Sequence, residues 1–175
     1  MQGGYWCWDE ASCLQRQQDS PDLTSSKGWP QAINPAGFLS SNPKNNPNFY
    51  DANKVYINYC TSDAYAGFNS TQILGGQRWI FNGKVVIRSI IEDLLKNFAL
   101  RKAKYIVFSG CSAGGQGVVN NLDFVANILA EAGVKAPVFG IGDSGWMMDM
   151  TSTRSNYSIR DEFVKAGPLW GAIPN

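Results

Sequence analysis

Apolar residues recur at helical spacing in two stretches of the chain. Residues 84–97 place six apolar side chains on one stripe, at Val86, Ile87, Ile90, Ile91, Leu94 and Leu95. Residues 114–132 repeat the pattern with Val118, Leu122, Val125 and Leu129, and Gly133 follows at a typical C-cap position. The pattern predicts two amphipathic helices, each of which buries one face.

Short apolar runs predict three β-strands next to these helices. The runs are VYINYC (55–60), YIVFSG (105–110) and APVFGIGD (136–143). Because strands and helices alternate, the sequence predicts an α/β fold with a parallel sheet, flanking helices and right-handed crossovers. The carboxyl ends of parallel strands meet at one edge, so residues 60–63, 109–114 and 143–145 are expected to lie on one rim.

The rest of the chain shows no clear period. Residues 1–54 are rich in Gly, Pro, Asn, Ser and Asp, which predicts loops with short helical pieces. Residues 61–83 are interpreted as a polar loop. Residues 150–175 are polar and yield no predicted element.

Composition narrows the function classes. The 175 residues fit one domain, and 44% hydrophobic with 17% charged residues is typical of a globular protein. A net charge of +1 without a charged block gives no support for nucleic acid or an anionic membrane as a partner, and no apolar run is long enough to span a bilayer. The four cysteines lack zinc-binding spacing and there is no histidine, so neither a metal nor a cofactor is expected.

A serine stands between glycines where the second predicted strand ends. Gly110-Cys111-Ser112-Ala113-Gly114 follows a strand and precedes a helix, which is the context of a nucleophile elbow. In such a turn the Ser112 hydroxyl stands at the helix N-terminus, where the dipole and free N–H groups favour a developing negative charge. The Ala113 N–H would be one oxyanion donor. The alternative is a glycine-rich turn that binds phosphate or only packs, although no lysine follows as in a P-loop.

The first residues of the chain could supply a second oxyanion donor. Gly3-Gly4-Tyr5-Trp6 fits the glycine-rich loop that elbow hydrolases use, but a disordered tail would give the same letters. Cys7 and Cys13 could close a short loop as a disulfide or remain buried thiols, and their spacing leaves both open.

Four separated stretches carry a resemblance to a known family. GGYWCWDEASC, LSSNPKNNPNFYDANKVYINYCTSD, GCSAGGQGVVNNLDFVANIL and GDSGW occur in an order that resembles the pectin acetylesterase and Notum family of serine carboxylesterases. The resemblance implies a partial α/β-hydrolase-like fold with a Ser-Asp-His triad. It places the nucleophile on Ser112 and the oxyanion donors on the N–H groups of Gly4, Tyr5 and Ala113.

The resemblance has further implications. It implies a Cys7–Cys13 disulfide and a secreted, extracellular protein. It puts the triad Asp and His beyond residue 175, so that residues 1–175 would be one truncated domain. Asp143 ends the third predicted strand and is the acid that the residues alone would suggest. The resemblance favours a hydrogen-bonding role on the rim for it.

Three functions are compatible with these residues. The favoured one is a carboxylic ester hydrolase that removes O-acyl groups from a polysaccharide such as pectin or from an acylated protein. The alternatives are a catalytically inactive glycan- or lipid-binding relative, and a nucleotide-binding α/β domain that uses the Gly114-Gly115 turn. An acyl or sugar pocket could be lined by the aromatic residues Tyr5, Trp6, Trp8 and Trp146.

Overall fold

The fold is known from a computed structural model that describes residues 1–151, 153 and 158–172. Helices and strands follow in the order α1 (Glu10–Asp19), β1 (Asn69–Leu74), β2 (Gln77–Phe81), α2 (Gly83–Asn97), β3 (Ile106–Cys111), α3 (Ala113–Glu131), β4 (Val138–Asp143) and α4 (Ile159–Trp170). Short 3-10 turns occupy Pro21–Leu23, Gly37–Leu39 and Leu100–Lys102.

The β3–α3–β4 unit confirms the central prediction. The two strands pair in parallel, with Ile106 opposite Val138 and Cys111 opposite Asp143. Helix α3 packs on both strands, and its predicted stripe is buried at Val118, Val125 and Leu129. Gly133 has φ 75°, and the N–H groups of Gly133 and Val134 donate to the carbonyls of Ala130 and Leu129, which is the expected glycine C-cap.

Helix α2 also confirms its pattern. Ile87 and Ile91 are buried, and α2 packs against α3. Arg88 and Glu92 lie on the solvent side with a nitrogen–oxygen distance of 3.9 Å. An exposed pair of this kind contributes little, so α2 is held mainly by its apolar stripe.

The strand predicted at residues 55–60 is wrong. Among the described residues, this run makes one hydrogen bond to another backbone group: the Gln2 N–H donates to the Ile57 carbonyl at 3.0 Å. The Tyr59 N–H turns to the Gln2 side-chain oxygen at 2.9 Å. Since a strand needs a ladder of backbone bonds, this apolar run reflects burial of Ile57 and Tyr59 and not sheet pairing. The parallel pairing among the described residues is therefore that of β3 with β4.

The loop predicted at residues 61–83 is partly wrong, because it contains an antiparallel hairpin. Strands β1 and β2 pair from Leu74 with Gln77 outward, and the turn between them is Gly75-Gly76. Both glycines have positive φ, 55° and 72°, which a two-residue hairpin turn requires. The Gly75-Gly76 pair was the sequence feature that could have predicted this hairpin.

Helix α4 lies in the part of residues 150–175 for which no element was predicted. It begins with a capping box in which the Ser158 hydroxyl accepts from the Asp161 N–H and the Asp161 carboxylate accepts from the Ser158 N–H. It ends at Gly171, whose φ of 58° is left-handed. The helix returns to the N-terminal segment, where Phe163 packs on Trp6 at 4.9 Å between ring centroids.

Candidate active site

The turn between β3 and α3 holds Ser112 in a strained conformation. Ser112 has φ 56° and ψ −120°, a region that side-chain-bearing residues rarely adopt. Its N–H donates to the Asp143 carbonyl at 2.8 Å, which fixes the turn to the end of β4. The side chain is half-buried, and no described residue makes a hydrogen bond to its hydroxyl. The structure therefore presents a free serine hydroxyl at the N-terminus of α3.

Glycines let the backbone close around this turn. A Cβ atom at Gly110 would overlap the Gly114 carbonyl, and one at Gly114 would overlap the Met1 carbonyl. A Cβ atom at Gly115 would lie 2.8 Å from the Asp143 carbonyl oxygen. Backbone atoms therefore pack directly against Gly114 and Gly115, which leaves no space for a side chain at either position.

The loop formed by residues 3–6 lies directly against Ser112. A Cβ atom at Gly3 would be 2.5 Å from the Cys111 carbonyl oxygen and 3.0 Å from the Ser112 Cβ. The next two residues both have positive φ, 135° at Gly4 and 61° at Tyr5. These residues form an ordered loop against the turn, which excludes the alternative of a disordered tail.

Arg16 of α1 holds loop 3–6 through its carbonyl groups. Its Nη2 donates to the carbonyls of Gly4 and Tyr5 at 2.5 and 3.3 Å, and its Nε donates to the Ser62 hydroxyl at 2.6 Å. The Gly4 carbonyl and the Tyr5 N–H belong to one planar peptide and point in opposite directions. Binding of that carbonyl by Arg16 therefore turns the Tyr5 N–H away from α1.

A disulfide ties the same loop to α1. Cys7 and Cys13 are bonded and fully buried, as the resemblance implied. The Cys7 N–H donates to the Ser62 carbonyl at 3.0 Å, and its carbonyl accepts from the Trp170 indole at 2.9 Å. Cys60 and Cys111 are free thiols. Loop 3–6 is thus anchored at its end by α1, by residue 62 and by α4.

Glu162 of α4 also contacts this loop. Its side chain is 2% exposed, and its Oε2 accepts from the Tyr5 hydroxyl at 2.7 Å and from the Trp6 indole at 3.1 Å. Burial raises the pKa of the Glu162 carboxyl, and the two hydrogen bonds oppose that rise. Sequence reasoning missed both Arg16 and Glu162, because nothing local marks a contact between residues 5 and 162.

Three backbone N–H groups in the loop and at the helix start have no protein acceptor among the described residues. They are the N–H groups of Gly4, Tyr5 and Ala113. Ala113 begins α3, so its N–H belongs to the positive end of that helix dipole. Free N–H groups at a helix N-terminus favour an anion, and here the helix start and loop 3–6 both adjoin the serine.

The aromatic residues proposed for a pocket differ in exposure, and Asp143 meets Ser112 through its backbone. Trp6 is 2% exposed and belongs to the core, so it does not line an open pocket. Tyr5 is 41% and Trp146 is 87% exposed, while Trp8 is half-buried. The Asp143 carboxylate accepts from the Ser144 hydroxyl at 3.1 Å. Asp143 thus reaches Ser112 through its backbone carbonyl and not through its carboxylate.

Two further features of the described residues bear on chemistry. They contain no group of three His, Cys, Asp or Glu side chains that could hold a metal ion. None of their helices is long and apolar enough to cross a membrane.

Comparison with known proteins places this arrangement in a family. The sequence model of the pectinacetylesterase family matches residues 1–171. The chain is 34% identical to the palmitoleoyl-protein carboxylesterase notum1a of Danio rerio, over 99% of this chain and 36% of that protein. It is 37% identical to the palmitoleoyl-protein carboxylesterase NOTUM of Mus musculus, over 91% of this chain and 31% of that protein. The chain thus spans about a third of the length of the curated relatives it matches.

The fold agrees with a solved structure of the same group. The crystal structure of the Wnt deacylase Notum from Drosophila superimposes with a TM-score of 0.92 at 30% sequence identity, covering 99% of this chain and 51% of that one. The predicted α/β-hydrolase-like fold is therefore confirmed. The chain belongs to the pectinacetylesterase family.

Proposed function

We propose that the chain carries the nucleophile and the oxyanion hole of a serine carboxylesterase. The observation that carries the proposal is Ser112, which stands at positive φ on the β3–α3 turn with a free hydroxyl. Membership in the pectinacetylesterase family supports the same reaction. The proposed oxyanion donors are the N–H groups of Gly4, Tyr5 and Ala113.

The reaction would proceed in two acyl transfers. The Ser112 oxygen attacks the ester carbonyl while its proton passes to a general base, and the carbonyl oxygen becomes an oxyanion held by the three N–H groups. The tetrahedral intermediate collapses to an acyl-serine and releases the alcohol, which takes the proton from the base. Water then attacks the acyl-serine by the same route and releases the carboxylic acid. Each oxyanion donor contributes about 3–4 kcal/mol to transition-state stabilisation.

The general base is assigned to a histidine outside these residues. The 175 residues contain no histidine. The Asp143 carboxylate is a weak candidate, because it bonds the neighbouring Ser144 hydroxyl and it is the Asp143 carbonyl that meets Ser112. In this proposal the triad is completed by chain beyond the 175 residues.

The proposed substrate is an O-acyl ester on a protein. The relatives from Danio rerio and Mus musculus are palmitoleoyl-protein carboxylesterases, and the Drosophila structure is that of a Wnt deacylase. The family name keeps an acetylated polysaccharide as the second substrate class. An extracellular location is proposed with it, and the Cys7–Cys13 disulfide supports an oxidising compartment.

A catalytically inactive glycan- or lipid-binding relative is the second candidate. The absence of histidine from the 175 residues is the observation that favours it. Such a protein would bind an acylated ligand on the same rim without turnover.

Trapping the acyl-enzyme separates these candidates. The full-length gene product is mixed with p-nitrophenyl acetate or with a palmitoleoylated serine peptide, quenched in acid and digested. Mass spectrometry should find the acyl group on the peptide that contains Ser112, and the substrate with the larger burst identifies the acyl class. Ser144→Ala serves as a control that should trap acyl groups as the wild type does. Ester turnover with no acyl group on Ser112 would contradict the mechanism, whereas binding without turnover would favour the inactive relative.

A further inference from the structure

Glu162 is a buried carboxylate with an unusual set of partners. Its side chain is 2% exposed, and its recorded hydrogen bonds come from two uncharged donors, the Tyr5 hydroxyl and the Trp6 indole. Burial raises the pKa of this carboxyl, and the negative charge of Asp9 adds to that rise. Removal of a carboxylate from water is costly unless it is paired, and two neutral donors compensate only in part. Packing alone would be served at lower cost by an apolar side chain.

The contacts of Glu162 converge on one strained residue. Tyr5 has φ 61°, which an L-residue adopts only when its surroundings enforce it. Arg16 holds the Tyr5 backbone from one side, and Glu162 holds the Tyr5 hydroxyl from the other. Trp6 stacks on the Tyr5 ring at 4.3 Å between centroids and shares the same carboxylate oxygen. Release of the Tyr5 ring would let the backbone relax and change the direction of the Tyr5 N–H, which the proposed mechanism aims at the oxyanion.

We propose that Glu162 is a positioning residue that keeps the Tyr5 N–H directed at the oxyanion formed at Ser112. The inference rests on the proposed esterase function and adds a residue to it. Glu162 touches no reacting atom in this account. It acts through the side chains of Tyr5 and Trp6 on the backbone between them.

The test compares variants by kcat and KM in the full-length gene product. Glu162→Ala removes both acceptor bonds, so kcat should fall about 10- to 100-fold with KM changed less than about threefold, because a misplaced donor weakens the transition state and not ground-state binding. Glu162→Gln keeps an acceptor oxygen and should restore kcat to within about threefold of wild type. Tyr5→Phe removes the hydroxyl donor and should lower kcat, and combining it with Glu162→Ala should add little, because both changes break one contact.

Asp161→Ala is the matched control on the same helix. It removes the side-chain half of the α4 capping box without touching loop 3–6, so it should lower stability and leave kcat unchanged. An equal kcat loss in Asp161→Ala, an unchanged kcat in folded Glu162→Ala, or fully additive losses would overturn the inference. If Glu162→Ala does not fold, the single-atom change Tyr5→Phe carries the test, and an unchanged kcat there overturns it. Wild-type turnover that survives Ser112→Ala would instead overturn the proposed function itself.

Discussion

Substitution of Gly3 by alanine should separate loop 3–6 from Ser112 and disable the site. The added Cβ atom would lie 2.5 Å from the Cys111 carbonyl oxygen, whereas carbon–oxygen contacts normally start at about 3.3–3.6 Å. The loop or the turn must therefore move by about 1 Å. Neither neighbour is a flexible side-chain end, because one is backbone and the other is the Ser112 Cβ.

The expected magnitude follows from that displacement. A misplacement of about 1 Å in a catalytic arrangement costs on the order of 100-fold in rate, or about 2.7 kcal/mol. The assay is steady-state hydrolysis of a p-nitrophenyl ester by the full-length gene product, with kcat and KM determined separately. The loss should fall on kcat, because in the proposed mechanism the N–H groups of loop 3–6 bind the oxyanion and not the ground-state ester.

Gly167→Ala is the matched control for Gly3→Ala. A Cβ atom at Gly167 meets nothing within 4 Å, and the residue lies inside α4. Alanine there should stabilise the helix by up to about 1 kcal/mol and leave kcat unchanged. A Gly3→Ala protein that turns over ester within about threefold of wild type would refute the reasoning, since loop 3–6 would then be dispensable for the reaction.

Three further predictions concern stability and the isolated chain. Replacing Cys7 and Cys13 together by serine should lower the free energy of unfolding by about 2 kcal/mol, because the disulfide closes a short loop; urea unfolding measures this, and an unchanged midpoint would contradict it. Since burial raises the pKa of Glu162, its stabilising contribution is present below the ordinary glutamate pKa and lost as pH rises through the folded value. Urea unfolding at several pH values should thus show that the free energy of unfolding of Glu162→Gln increases relative to wild type as pH rises. A relative decrease would contradict a raised pKa of Glu162. The 175-residue chain alone, having no histidine, should show no ester turnover that depends on Ser112, and ordinary turnover of that kind would reveal a different base.

Elements with a long, regular apolar period were predictable from sequence. Helices α2 and α3 and strands β3 and β4 agree with their predicted ranges to within two residues, because each buries the stripe or run that predicted it. The strand at residues 55–60 failed because apolar content reports burial, while strand formation depends on a neighbour that supplies a ladder. Helix α4 was missed because it contains Gly167 and Pro168, residues that usually end a helix, although Ser158 and Asp161 offered a capping-box signal.

The features of the site that are local in sequence were predictable, and the contacts between distant residues were not. The turn at Ser112 was predictable because its glycines and the strand and helix beside it are contiguous in sequence. The contacts of Arg16 with Gly4 and of Glu162 with Tyr5 join distant parts of the chain, and charge alone does not identify such partners. The burial of Trp6 under α4 was unpredictable for the same reason, since α4 itself was missed.

Labelling of the full-length gene product with an organophosphonate ester probe tests the central claim most directly. In the proposed mechanism Ser112 combines a free hydroxyl with the N–H groups of Ala113 and loop 3–6, whereas Ser144 follows a different strand and donates to the Asp143 carboxylate. Mass spectrometry should find the probe on Ser112, and Ser112→Ala should remove the label and lower ester hydrolysis by several orders of magnitude while the fold is retained. Persistent labelling at Ser144 in the Ser112→Ala protein, or full activity of that variant, would contradict the account.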